Sequence, residues 1–90
     1  MYQILPYSYQ QAKRLGVFIR PSENLKKKID VYKDSKKVAS IGDPNYQDFA
    51  HYLQKDKTLA NERRRLYKIR HQRDSGKIGT PGYYSDRILW

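Results

Sequence analysis

The apolar positions of this 90-residue chain change their spacing along its length, and each change marks a predicted element. Between Tyr2 and Arg20, Tyr9, Ala12 and Leu15 share one helical face, with Ser8 placed to cap the helix and Gly16 to stop it. Val17-Phe18-Ile19-Arg20 then reads as an extended run of β-branched and aromatic residues, closed by Pro21. Residues 21–25 read as a linker. From Lys28 to Lys33 the pattern alternates, with Ile29 and Val31 on one face and Asp30 and Tyr32 on the other. Asp34-Ser35-Lys36 is the predicted turn, and Val38 to Ile41 returns as the second strand before Gly42. A lone two-stranded ribbon is barely stable in water. It needs a helix or a third strand to pack on, and residues 17–20 are the candidate for that strand.

Helical spacing dominates the second half. Asp43-Pro44-Asn45 leads into a helix carrying Tyr46, Phe49, Ala50 and Leu53. Thr58 is the predicted cap of a longer helix reaching about Arg73. Residues 74–79 read as loop. Thr80-Pro81 is an N-cap followed by proline in the first helical turn, ahead of a short helix with Tyr83, Tyr84, Ile88, Leu89 and Trp90. The predicted fold class is therefore α+β in a small single domain. It has an N-terminal helix and a two- or three-stranded antiparallel β-ribbon, then two amphipathic helices and a short C-terminal aromatic helix. Residues 1–27 form an N-terminal extension (short helix plus strand) to a hairpin-plus-helical core domain at 28–90.

On a helical wheel for residues 58–73, Leu59, Leu66 and Ile69 define the apolar face, flanked by Ala60 and Tyr67. Arg63 and Arg70 fall within that same arc. An arginine on an inner face must find acceptors or snorkel to water. Arg63 and Arg70 are accordingly expected to be structural clamps on carbonyls, or on carboxylates such as Asp48 or Asp86. Arg64, Lys68 and His71 form an outer stripe, with Arg65 on the other flank. Arg64, Arg65 and Lys68 are thus the expected donors to a phosphate or an acidic protein surface. The plainer reading of such a charge run is a solvated face.

Charge gives these stripes their weight. The chain carries 19 Lys+Arg against 9 Asp+Glu, a formal net charge of +10, and has a mean hydropathy of −1.00. That balance implies an anionic partner. Lys26, Lys27 and Lys28 lead into the hairpin, and Lys33, Lys36 and Lys37 surround its turn, so a basic ribbon with Tyr32 interleaved is a second candidate surface. Lysines on an exposed strand also serve simply to deter edge pairing. Nine tyrosines, two phenylalanines and one tryptophan are too many aromatic residues for a disordered polycation.

Several chemistries are excluded or disfavoured. Without cysteine there is no disulfide scaffold, thiolate metal site or cysteine nucleophile. The longest apolar run, Leu15 to Ile19, is far too short for a transmembrane segment, and the N-terminal residues do not resemble a signal peptide. An intracellular compartment is expected. His51 and His71 lack partners at metal-ligand spacing, and the acidic residues form no dyad, so no metal, cofactor or small-molecule substrate is expected. Gly76-Lys77-Ile78-Gly79 matches the GXXG clamp of KH domains only formally, since the surrounding element order differs. The expectation is a protein that is not an enzyme.

A family resemblance runs over about residues 28–90. Its motifs are Ile41-Gly42, Tyr46-Gln47-Asp48-Phe49, Arg63-Arg64-x-x-Tyr67-x-x-Arg70-His71 and the closing Gly79-Thr80-x-Gly82-Tyr83-Tyr84-Ser85-x-x-Ile88-Leu89-Trp90. Together with the preceding basic ribbon, these resemble a family of small, basic, functionally uncharacterised proteins of large nucleocytoplasmic DNA viruses of algae and protists. Tyr83-Tyr84 departs from the Phe-Trp that relatives often carry. The resemblance implies a viral protein, made in the host cell cytoplasm and packaged in the virion, and carries over no catalytic residue. Two functions are therefore expected in turn. The first is a minor capsid or cement protein bound to other capsid proteins, with Tyr83, Tyr84 and Trp90 as aromatic anchors in its neighbours. The alternative is a protein that binds or condenses viral DNA, using the lysine ribbon and the Arg64/Lys68 stripe.

Overall fold

Residues from opposite ends of the chain build the core. A computed structural model describes residues 2–90. The described elements are α1 (Pro6–Leu15), β1 (Phe18–Pro21), β2 (Ile29–Lys33), β3 (Lys36–Ile41), α2 (Phe49–Lys55), α3 (Lys57–Arg70), α4 (Gln72–Ser75) and α5 (Pro81–Ile88). This is the α+β architecture expected, with the third strand present. The strands form one antiparallel sheet in the order β1-β2-β3. Ile29, Val31, Ala39 and Ile41 are buried beneath it, where they meet Ile4, Ala12 and Val17 from the N-terminal region and Tyr84, Ile88 and Leu89 from α5. Residues 2–21 thus contribute a helix and an edge strand to the same core as the rest.

Local chemistry explains the element ends. Gly16 takes φ +72, and its N–H closes onto the carbonyls of Ala12 and Lys13, ending α1 as expected. Asp34 and Ser35 both have positive φ, as a two-residue primed hairpin turn requires, so β3 starts earlier than the alternation suggested. Thr80 caps α5 by accepting from the Tyr83 N–H, with Pro81 in the first turn. Two expected caps are corrected. Ser8 lies inside α1, buried, and its hydroxyl donates to the Ile88 carbonyl at 2.9 Å, joining the first helix to the last. Asp56, not Thr58, caps α3, accepting from the N–H groups of Thr58 and Leu59.

Beside this core lies a buried polar node. Lys28 Nζ donates to Asp48 Oδ1 at 2.7 Å, and the two side chains are only 3 % and 4 % exposed. The ammonium also donates to the Tyr46 carbonyl, while the Tyr2 hydroxyl donates to the second Asp48 oxygen. Burial, reinforced by the hydrogen bond to Asp48 and its charge, pushes the Tyr2 phenol well above its ordinary value. Gly42, at φ +87, lets the chain leave β3 directly over the Lys28 stem. A Cβ there would sit 2.9 Å from Lys28 and 3.0 Å from Leu89. The segment from 42 to 48 is therefore held by an ion pair and a close backbone approach, with little apolar packing of its own.

Breaking one partner of such a pair strands a buried charge. Lys28→Met should cost about 3–5 kcal/mol, and Lys28→Met with Asp48→Leu should recover part of that loss. Urea denaturation followed by circular dichroism measures both.

Candidate functional site

Helices α2 and α3 form an antiparallel pair that stands off from α5, and long side chains span the gap. Arg64 turns inward. Its Nε donates to the Trp90 main-chain oxygen at 2.7 Å and its Nη2 to the Tyr7 hydroxyl at 2.9 Å, while the guanidinium lies 3.9 Å from the centre of the Phe49 ring. Tyr67 stacks on Trp90 with ring centres 4.6 Å apart and an 8° tilt, and its hydroxyl donates to Ser85. His71 continues the stack at 4.3 Å from Tyr67. Burial raises the Tyr67 phenol, with the nearby Asp86 and Asp48 charges adding to the effect and the Ser85 hydrogen bond and Arg70 opposing it. Lys68 Nζ pairs with Asp86 Oδ1 at 3.0 Å.

This arrangement corrects the assignment of the arginines. Arg63 and Arg70 are exposed and clamp neither Asp48 nor Asp86. The inward positions are Ala60, Arg64, Tyr67 and His71, leaving Leu59, Leu66 and Ile69 outside. The physical reason is reach. With α3 held away from α5, only arginine, lysine or tyrosine can bridge, and each finds an acceptor at its tip. Arg64 is thus a structural clamp, and Lys68 is tied to Asp86. Arg65 is exposed but grips Glu62 with two hydrogen bonds, which hold that carboxylate below its ordinary range.

Lys28 is likewise corrected, since its charge is spent within the fold. Lys26, Lys27, Lys36 and Lys37 are exposed. The aromatic anchors are internal as well: Tyr84 is in the core, Tyr83 lies under the Arg87 guanidinium at 3.9 Å, and Trp90 stands in the stack with Tyr67. Their burial comes from the domain itself, because α5 folds back between α1 and the sheet.

A cleft of about 560 Å³ remains between the α2–α3 pair and the body. Tyr52, Tyr67 and Trp90 form its aromatic wall, the Lys28–Asp48 pair lies in its floor, and Lys27, Arg63 and Arg70 line its basic side. Arg63 lies 5.7 Å from the centre of the Tyr52 ring. Among the described residues, no carboxylate pairs with Lys27, Arg63 or Arg70. His51 is half-buried, with Nδ1 3.4 Å from Asp48 Oδ2 but without hydrogen-bond geometry. No group of three or more His, Asp or Glu side chains among the described residues converges on a metal-binding point. No helix among the described residues is long and apolar enough to cross a membrane. The cleft offers cationic donors over an aromatic wall, an arrangement suited to holding an anionic group.

A second basic surface lies on the open face of the sheet. Phe18 and Tyr32 are direct cross-strand partners there, with Phe18 79 % exposed and Arg20 5.6 Å from the Tyr32 ring centre. Asp30 sits among them. Burial opposes its ionisation, but hydrogen bonds from Ser40 and Ser22 and the charges of Lys37 and Arg20 outweigh it and hold the carboxyl below its ordinary value. Phe18 belongs to this surface beside the lysines of the ribbon, and its outward direction follows from its alternation with Val17 and Ile19.

Comparison with protein-family models, with curated proteins and with solved structures returns no match for this chain.

The reassignment of the arginines predicts unequal costs. Arg64→Ala should destabilise the domain by about 2–3 kcal/mol, because it removes two charge-assisted hydrogen bonds. Arg63→Ala and Arg70→Ala should each stay within about 0.5 kcal/mol of the parent in thermal or urea unfolding.

Proposed function

We propose that this protein is a non-enzymatic structural component of a large DNA virus particle, a minor capsid or cement protein that binds acidic surfaces of neighbouring capsid proteins. The viral setting rests on the motif resemblance over residues 28–90. The binding role rests on one observation: Lys27, Arg63 and Arg70 stand without acidic partners beside a cleft whose exposed carboxylate, Asp43, pairs with none of them and whose buried carboxylate, Asp48, is already locked by Lys28 and Tyr2. A carboxylate engaged in that way is a poor general base, whereas unopposed arginines are ready donors to an incoming carboxylate. Exposed aliphatic residues near the arginines, Leu66 and Ile69 among them, favour a protein neighbour over a sugar–phosphate backbone.

A second reading, nucleic-acid binding, is favoured by the open sheet face. Exposed Phe18 beside Tyr32, flanked by Arg20 and Lys37, has the character of a platform on which single-stranded bases stack.

Purified particles separated into shell and nucleoid fractions, and probed for this chain by mass spectrometry, test the first reading. The chain should accompany the shell, and Arg63→Glu/Arg70→Glu should reduce its incorporation. Absence from particles, or confinement to the nucleoid, overturns that reading. For the second, an oligonucleotide should bind the isolated protein with an affinity that falls steeply with salt, and Phe18→Ala should weaken it by about 1–3 kcal/mol. A lack of salt-dependent binding removes that reading.

A further inference from the structure

Helix α3 is inverted. Its aliphatic residues Leu59, Leu66 and Ile69 are 37 %, 36 % and 53 % exposed, while Arg64 faces the interior. The outward residues also follow a repeat of seven. Leu59 and Leu66 occupy one seam position, Glu62 and Ile69 the other, and Arg63 and Arg70 flank the seam on one side with Arg65 on the opposite side. Glu62 is drawn toward that second flank by its two hydrogen bonds from Arg65. The seam runs from Leu59 to Ile69, roughly 17 Å of helix. Folding of the domain does not require it, because α3 joins the rest through its opposite face.

We propose that this stripe docks an acidic amphipathic helix of a partner protein, one with apolar residues in its own seam and Asp or Glu at its flanks. The inference rests on the reading of the chain as a binder of acidic protein neighbours and names the surface and the chemistry of one such neighbour. Charge selects the occupant. In a parallel pair of two copies Arg70 would face Arg65, and in an antiparallel pair Arg63 would face Arg70. Each molecule also carries a net charge of +10. Like charges across the flanks disfavour that pairing, and acidic flanks reverse the sign. The three aliphatic side chains would be buried by an apolar seam and have no counterpart on a nucleic-acid backbone.

The probe is a three-heptad helical peptide, stapled to stay helical, with Leu in the seam and Glu at the flanks. Its mate carries Lys at the flanks. Titration of the isotope-labelled protein, followed by amide NMR, should give shifts confined to residues 59–70 with the acidic peptide and none with the basic one. Leu66→Asp should abolish binding. Arg63→Glu/Arg70→Glu should weaken the acidic peptide at least tenfold and create binding of the basic one. These residues lie outside the core, and an unchanged thermal transition verifies that each variant is folded. Equal binding of both peptides, shifts elsewhere, self-association through the stripe, or no binding overturns the proposal. So does displacement of the acidic peptide from residues 59–70 by a DNA duplex. The presence of the chain in the particle shell is a separate measurement, so either result stands without the other.

Discussion

The ion pair between Lys28 and Asp48 is the constraint on which the rest of the arrangement depends. It joins the start of β2 to the start of α2 at a point where the intervening loop has almost no apolar packing of its own. Tyr2 and the Tyr46 carbonyl complete the node, bringing the first residues of the described chain to the same place. Two desolvated charges are tolerable only because the ammonium and both carboxylate oxygens have partners. Immediately after Asp48, the Phe49 N–H donates to the Leu89 carbonyl at 3.2 Å, so the node also sets where the helical pair meets α5. The cleft exists because that meeting is at one end, with α3 held off by side chains farther along.

The same geometry determines which charges face outward. A net charge of +10 looks like one broad basic surface when counted, but the fold divides it. Lys28 and Arg64 are consumed internally, and Arg20, Arg65, Lys68 and Arg87 have acidic companions. Of what remains, Lys27, Arg63 and Arg70 gather at the cleft and Lys33, Lys36 and Lys37 around the hairpin turn, while the other cations are scattered over the helices and loops. Placing long cations inside and short aliphatic groups outside sacrifices core volume, which ordinary amphipathicity would have filled. The reward is a helix attached by directional bonds that leaves its apolar side unoccupied.

Elements with strong local signals were readable from the residues. Alternation at Ile29 and Val31, the left-handed stop at Gly16 and the Thr80-Pro81 cap each depend on neighbours within a few positions, and the structure keeps all three. The facing of α3 was not readable. A wheel ranks faces by hydrophobicity, whereas the separation of α3 from α5 is set by the remote Asp48 node and by Trp90. Nothing between residues 57 and 70 encodes that distance. For the same reason the lysine triplet concealed its one buried member. Lys26, Lys27 and Lys28 look alike in sequence, and only the arrival of Asp48, twenty positions later, distinguishes the last of them.

The construction of the core from both ends of the chain has a consequence for the order of events during synthesis. Ile4 and Ala12 have no permanent cover until Tyr84, Ile88 and Leu89 arrive. Contacts of such wide sequence separation form late and slowly, because the loop between them must close first. A nascent chain that has passed the hairpin therefore cannot complete its domain while α5 is still within the ribosome. During that interval it is a strongly cationic, incompletely covered polypeptide beside an RNA-rich surface. Closure of the core is thereby deferred until α5 has emerged and can pack against α1 and the sheet.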